Sequence, residues 1–317
     1  MSYIPNLEPR FLAPKGWKTD HFENSNTGHT LHFGYSTPDS PKGVVILLQG
    51  LQEFSEKYYE TANHILDQGH AIAILEWQYQ GRSGRLKDFP QRRHSDGFET
   101  DIDDLKVFID DYISKIFPNQ KRYMLAHSTG GLIGLRYLSL YPNDFVAASF
   151  SAPLIGIYGL NTLPNAPIQA LAKALAKTFP KRYVLGGRDW NESERKSDGS
   201  DKFSSDPIRD SVTNSWYIAD SSLQGGSPTN NWLYQALRSM KTIKKQDVVD
   251  KIVTPCLFGI AENDTIVCSK ESEKLAKRIQ NADILNLKNA KHEILMETDD
   301  VRNLFFNKTL ELFQKHA

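Results

Sequence analysis

Apolar residues fall along this chain in two alternating patterns. One is a short unbroken run ending in glycine or a polar turn: "GVVILLQG" over 43–50 and "HAIAILEW" over 70–77. Runs of that length and β-branched content predict strands buried on both faces. The other pattern is helical. Between those two runs, Tyr58, Ala62, Ile65 and Leu66 share a helical spacing, and Gly69 closes the segment. Strand, helix, strand with short connections is a βαβ unit, which implies a parallel sheet.

The alternation continues. Ile102, Leu105, Phe108, Ile109 and Tyr112 mark one face of a helix in "ETDIDDLKVFIDDYISKIF". Its carboxylates Asp101, Asp103, Asp104, Asp110 and Asp111 read as a solvated face rather than a cation site. "RYMLAH" predicts a strand, "GGLIGLRYLSLYP" a helix and "FVAASFSAP" a strand. Much later, "TPCLFGIAEND" and "ADILNLKNAKH" predict two more strands, with the helix "SKESEKLAKRIQ" between them. "DVRNLFFNKTLELFQKH" predicts a closing helix. Over 153–245 the pattern stops. Prolines, glycines and polar turns accumulate there, and "GGRDWNESERKSDGSDKFSSDP" predicts a long irregular loop. It lacks the glycine and terminal glutamate of a calcium loop. Within the region, "IQALAKALAKTF" predicts an amphipathic helix with Ile168, Leu171, Leu175 and Phe179 on its apolar side. Lys173 and Lys177, with the following Lys181 and Arg182, make its polar side basic. The expected fold class is α/β: a mostly parallel sheet flanked by helices, built from residues 1–152 and 246–317. A mainly helical cap is inserted over 153–245.

Composition narrows the function. The chain has 317 residues, 39% hydrophobic and 24% charged, as in a soluble globular protein. Lys+Arg and Asp+Glu both count 38, which gives no reason to expect a nucleic-acid partner. The two cysteines, Cys256 and Cys268, form neither a disulfide framework nor a C-x-x-C zinc pair. They predict reduced thiols, hence a cytoplasmic location. No signal peptide and no bilayer-spanning run is read.

Chemistry concentrates at "RYMLAHSTGGLIGLRYL", where Ser128 sits between a strand and a helix-opening glycine pair. That is the setting of a nucleophile elbow, G-x-S-x-G, with Ala126 in place of the first glycine. The alternative is a serine cap on a helix. A serine nucleophile needs a base, and the base an orienting acid. After Ser128 only His292 and His316 remain, and His316 is one residue from the end. His292 follows a strand, in "NAKHEILME". Asp264, at the turn in "LFGIAENDTIV", is the candidate acid, with Glu262 in reserve. Oxyanion donors are expected from the Thr129 N–H and from the glycine turn "LLQGLQEF" through the Leu51 N–H. Strand alternation points His127 away from Ser128, as a packed histidine behind the site.

These motifs give the chain a likeness to a known family. Over nearly its whole length it resembles the α/β-hydrolase superfamily, in its lysophospholipase and monoacylglycerol lipase branch. "QGLQEFSEKYYETANHILDQGHAIAILEWQYQGRSGR" is similar to that branch's oxyanion turn, first helix and glycine-arginine-serine loop. "LAHSTGG" resembles its elbow, "SSDPIRDSVTNSWYIADSSLQGGSPTNNWLYQAL" its cap and "NAKHEILMETDDVRN" its histidine loop. The chain departs from the branch at Gln49, Gln52, Gln78, Tyr79 and Ala126. The resemblance implies the α/β-hydrolase fold, with Ser128 as nucleophile, Asp264 as acid and His292 as base. It implies Leu51 and Thr129 as oxyanion donors, and a substrate with one acyl chain, a lysophospholipid or a monoacylglycerol. No metal or organic cofactor is expected.

Leu154, Ile155, Ile157, Leu160 and Leu163, crowded beside the elbow in sequence, are expected to line an acyl tunnel. The cap helix is expected to pack its apolar face on the core, with transient contact of its basic side with a membrane surface as the alternative. Two alternatives stand: an aminopeptidase, with Glu192 and Glu194 as weak candidates for holding an α-amino group, and a non-catalytic binding module.

Overall fold

The computed structural model describes residues 5–160 and 165–317. Eight strands among them form one sheet: β1 (Lys18–Asn24), β2 (His29–Ser36), β3 (Val44–Leu48), β4 (Ala71–Leu75), β5 (Arg122–His127), β6 (Ala147–Ser151), β7 (Cys256–Ala261) and β8 (Ala282–Leu287). Their order is β1-β2-β4-β3-β5-β6-β7-β8. β2 is antiparallel to both its neighbours, and every pairing from β4 to β8 is parallel. The continuous apolar runs become the strands β3 and β4, in which every residue is buried. Helices Tyr59–Asp67, Ser128–Leu140, Ser269–Ala276 and Asp299–Lys315 join or follow the parallel strands, as a βαβ chain requires.

The β1–β2 hairpin was not among the predicted strands. β1 buries only Phe22 and Asn24, so its sequence carries no apolar run. The predicted second helix runs over Phe98–Val107 and continues as a π-helical stretch, Phe108–Ile113. Its acidic face is not wholly solvated. Asp103, Asp110 and Asp111 fit that expectation better than Asp101 and Asp104, which are buried. Asp104 accepts from Asn24 and Thr27 and pairs with His29, so its charge is answered by the hairpin.

Between β6 and β7 the chain forms the helices Asn165–Thr178, Pro207–Ala219 and Asn230–Ile243, with an extended loop between the first two. The Asn165–Thr178 helix packs against Asn230–Ile243. It buries Ala172 and Ala176, while Leu171 stands 62% exposed. Of the expected apolar face, Ile168 and Leu175 are half-buried, and the expectation is corrected at Leu171 and Phe179, which are exposed. A second apolar cluster, including Phe11, Phe54, Tyr59, Trp216 and Met296, joins the insertion to the sheet domain.

Candidate active site

The geometry begins at the end of β5. His127 is extended, and Ser128 starts the helix with no intervening residue. Ser128 takes φ +50°, a left-handed conformation that a non-glycine residue adopts at a strained turn. Gly130 explains its own identity. A Cβ there would lie 2.3 Å from the Leu48 carbonyl oxygen and 2.5 Å from that of Gln49. The helix therefore crosses the end of β3 at a distance only glycine permits.

Ser128, His292 and Asp264 come together in line. His292 Nε2 lies 3.0 Å from Ser128 Oγ, and its Nδ1 lies 2.7 Å from Asp264 Oδ2. The other Asp264 oxygen accepts from the Ile266 and Val267 N–H groups at 2.8 and 2.9 Å. Burial opposes the Asp264 charge. His292 and the two amides outweigh it and hold the carboxyl below its ordinary range. With Asp264 ionised, Nδ1 carries the proton and Nε2 is free to accept from the serine. Glu262, the reserve acid, is exposed and accepts only from the Asn289 N–H.

Ser128 and His292 open on a cavity of 810 Å³, whose lining also includes Leu51 and Thr129, while Asp264 is buried behind His292. Among the described residues, neither the Leu51 nor the Thr129 N–H meets an acceptor. Leu154 and Ile157 are on the cavity wall with Ile266, Leu233 and Trp232. Ile155 and Leu160 are not. They line a neighbouring 400 Å³ cavity, which shares Ile157 with the first. Leu163 lies outside the described residues. No group of three or more His, Cys, Asp or Glu among the described residues is placed to hold a metal ion.

The family described as "Serine aminopeptidase, S33" matches residues 39–299. A Haemophilus influenzae protein described as a probable lysophospholipase L2 is 30% identical over 259 residues, 82% of this chain and 80% of that protein. Lysophospholipase L2 of Escherichia coli strain K12 is 27% identical over 281 residues, 86% of this chain and 81% of its own. Among solved structures, a soluble variant of Saccharomyces cerevisiae monoglyceride lipase superposes with a TM-score of 0.74 at 20% identity. The match covers 99% of this chain and all of that one, which shows a shared fold.

The chain belongs to this family of α/β-hydrolases.

Its relatives place it in the branch of lysophospholipases and monoacylglycerol lipases, and make it a carboxylic ester hydrolase. The hydrolase also holds charges in its cavity wall that the sequence reading did not single out. Glu53 accepts from the Gly50 N–H, from Tyr58 Oη at 2.5 Å and from Lys57 Nζ at 2.7 Å. Lys57 reaches Glu293 at 2.7 Å, and Glu293 takes a forked pair from Arg195 at 2.5 and 3.3 Å. Burial opposes both carboxylate charges. Lys57 outweighs it at Glu53, and Arg195 with Lys57 outweighs it at Glu293, so both sit below the usual carboxylate range. The one available signal was the spacing of Glu53 and Lys57, four apart after the glycine turn.

His127 is a buried neighbour of the site, as a histidine packed behind the serine is expected to be. Its ring lies 4.8 Å from that of His292 and lines the cavity. Burial pushes His127 down to about 4, so it is neutral at physiological pH. One ring nitrogen, Nδ1, lies 3.0 Å from the Ser151 carbonyl oxygen.

Proposed function

We propose that this hydrolase is a serine esterase that cleaves single-acyl-chain lipids, lysophospholipids or monoacylglycerols, through an acyl-serine intermediate. The observation that carries the reading is the hydrogen-bonded line Ser128–His292–Asp264, whose first two members face a cavity with mixed lining. Ser128 Oγ attacks the ester carbonyl carbon as His292 Nε2 takes its proton. Asp264 fixes the imidazole tautomer and stabilises the imidazolium. The Leu51 and Thr129 N–H groups stabilise the oxyanion. As the ester C–O bond breaks, His292 gives the proton to the departing alcohol. Water then loses a proton to His292 and attacks the acyl-serine. The fatty acid leaves, and Ser128 recovers its proton.

The lining supports an amphiphile. Leu154, Ile157, Leu233 and Ile266 suit an acyl chain. Arg188 and Lys202 also line the cavity, and their charge favours a phosphate-bearing head group over bare glycerol, while the Arg195 charge is answered by Glu293 and Asp210. Among the described residues of the cavity wall, no carboxylate is left unpaired for the α-amino group of an aminopeptidase substrate, and the Glu194 side chain lies outside the described residues. Glu53 and Glu293 are both ion-paired, and Glu192 is exposed and off the cavity wall. A binding module has no use for the aligned serine, histidine and aspartate.

Residues 153–245 serve as the cap. Its exposed Leu171, Phe179 and Leu185, with Lys173, Lys177, Lys181 and Arg182 nearby in sequence, touch the membrane surface transiently from the cytoplasmic side. No helix among the described residues is long and apolar enough to cross a membrane.

The test compares fatty acid released from a lysophospholipid and from a monoacylglycerol of matched chain length. Release from the lysophospholipid is expected to be faster, and Ser128→Ala is expected to lower it by at least about 10³-fold. No release from either lipid by the unaltered protein overturns the reading.

A further inference from the structure

His292 sits in a loop, and a loop does not by itself hold a base to the tolerance that proton transfer needs. Its side chain bonds only to Ser128 and Asp264 among the described residues. Asn289, at the loop's start, adopts φ +62°. The residues on either side of His292 are fastened to one stretch of the cap, residues 195–205. Before it, Lys291 Nζ donates to three carbonyls of that stretch, Gly199 at 2.7 Å, Asp201 at 2.6 Å and Ser204 at 3.1 Å. After it, the Glu293 N–H donates to the Phe203 carbonyl at 2.8 Å. The Glu293 carboxylate takes the forked pair from Arg195. Farther along, Ser204 Oγ donates to the Met296 carbonyl at 2.6 Å. Arg195 is itself fixed. Its guanidinium lies 3.8 Å from the Phe203 ring centroid and reaches Asp210 at 3.4 Å.

The cap stretch and the histidine loop thus share ion pairs, side-chain bonds and a main-chain bond. Lys57 extends the connection, because it joins Glu293 to Glu53, whose carboxylate accepts from Gly50 in the oxyanion turn. Displacing the 195–205 stretch would release both neighbours of His292 together.

We propose that cap residues 195–205 hold the catalytic histidine, with Arg195 and Lys291 as positioning residues for the reaction. This rests on the reading of His292 as the base. The cap is then part of the catalytic apparatus as well as a cover for the acyl chain. Losing either anchor lowers the rate of chemistry more than substrate affinity, because a displacement of about 1 Å at a reacting group can cost about 10²-fold.

The test uses p-nitrophenyl acetate, whose acyl group is too short to occupy a long apolar channel. kcat and KM are measured for the full chain and for Arg195→Met, Arg195→Lys, Lys291→Met and Ser128→Ala. Thermal melting is recorded for each, and rates are taken well below each midpoint. Arg195→Met and Lys291→Met are expected to lower kcat about tenfold to 10²-fold, with KM within about twofold. Arg195→Lys keeps the charge but loses the fork, and is expected to fall between Arg195→Met and the unaltered protein. Unchanged kcat in folded Arg195→Met and Lys291→Met overturns the proposal. So does a loss confined to KM, which would make Arg195 a substrate contact. If Arg195→Met does not fold, Arg195→Lys decides: unchanged kcat overturns the proposal, and a fall of about threefold or more at constant KM supports it. Full turnover by Ser128→Ala sinks the reading of the site, and the proposal with it. An inactive Ser128→Ala beside unaffected positioning variants sinks the proposal alone.

Discussion

Asp264 is charged in a place that keeps water from its side chain, and three donors make that possible. Two are backbone amides from Ile266 and Val267, and the third is the His292 ring. Asn in its place keeps the shape but not the direction of the bonds. Its oxygen would take the two amides, leaving its NH₂ to face His292 Nδ1. That forces the tautomer with the proton on Nε2, which cannot accept from Ser128. Asp264→Asn is therefore expected to lower kcat on a chromogenic ester by about 10³ to 10⁴-fold, with melting little changed. A loss below about tenfold would mean that Asp264 does not set the tautomer. At this scale the sequence is informative where chemistry is local. Ser128 stands out because a strand runs into a helix-opening glycine pair, and His292 because few histidines follow it. The preference for Asp264 over Glu262 rested on a turn, and the distances favour the same residue. Arg195 and Glu293 were not legible. They are 98 residues apart, and only the fold brings them together.

Elements were legible where burial leaves an unbroken mark. β3 and β4 are covered on both faces, so their sequences are continuously apolar. β1, at the sheet's edge, has no such mark. The Asn165–Thr178 helix shows a subtler failure. Spacing and hydrophobicity favour Leu171, but close helix packing selects small residues, and the positions this helix buries fully are Ala172 and Ala176, with Ile168 and Leu175 half-buried beside them. This makes an expectation opposite to simple hydrophobicity. Leu171→Ser is expected to change unfolding free energy by no more than about 0.5 kcal/mol. Ala176→Leu adds apolar volume yet is expected to cost about 1–3 kcal/mol, because the facing helix has no room for it. Urea unfolding of the two variants checks both. A larger loss from Leu171→Ser than from Ala176→Leu would reverse the assignment of the packed face.

The whole molecule is also tied together away from Ser128, by a polar network that crosses from the hairpin to the Asn230–Ile243 helix. His29, at the start of β2, lies 2.6 Å from Asp104 and 3.2 Å from Asp96. Asp96 also accepts from Tyr79 at 2.6 Å and approaches His94. His94 meets Thr229 at 2.9 Å, and Thr229 caps the Asn230–Ile243 helix. One titratable group therefore reports on hairpin, sheet domain and that helix together. Burial pulls the His29 pKa down, but Asp104 and Asp96 outweigh it and raise it to about 9. The folded state thus holds a proton that the unfolded chain releases near its ordinary value of about 6.5. The stabilisation from this proton is complete below that value and fades as pH rises through about 9. Asp101, pushed up to about 7 chiefly by burial and held down in part by His29, would titrate higher in a His29→Gln variant, which offsets part of the narrowing. The stability gap between those two proteins is expected to narrow by about 1–3 kcal/mol between pH 6 and pH 10, read from urea unfolding at each pH. A gap that stays constant would mean that His29 is neutral in the fold. The network would then be held by neutral hydrogen bonds, and raising the pH would leave the tie between hairpin and helix intact.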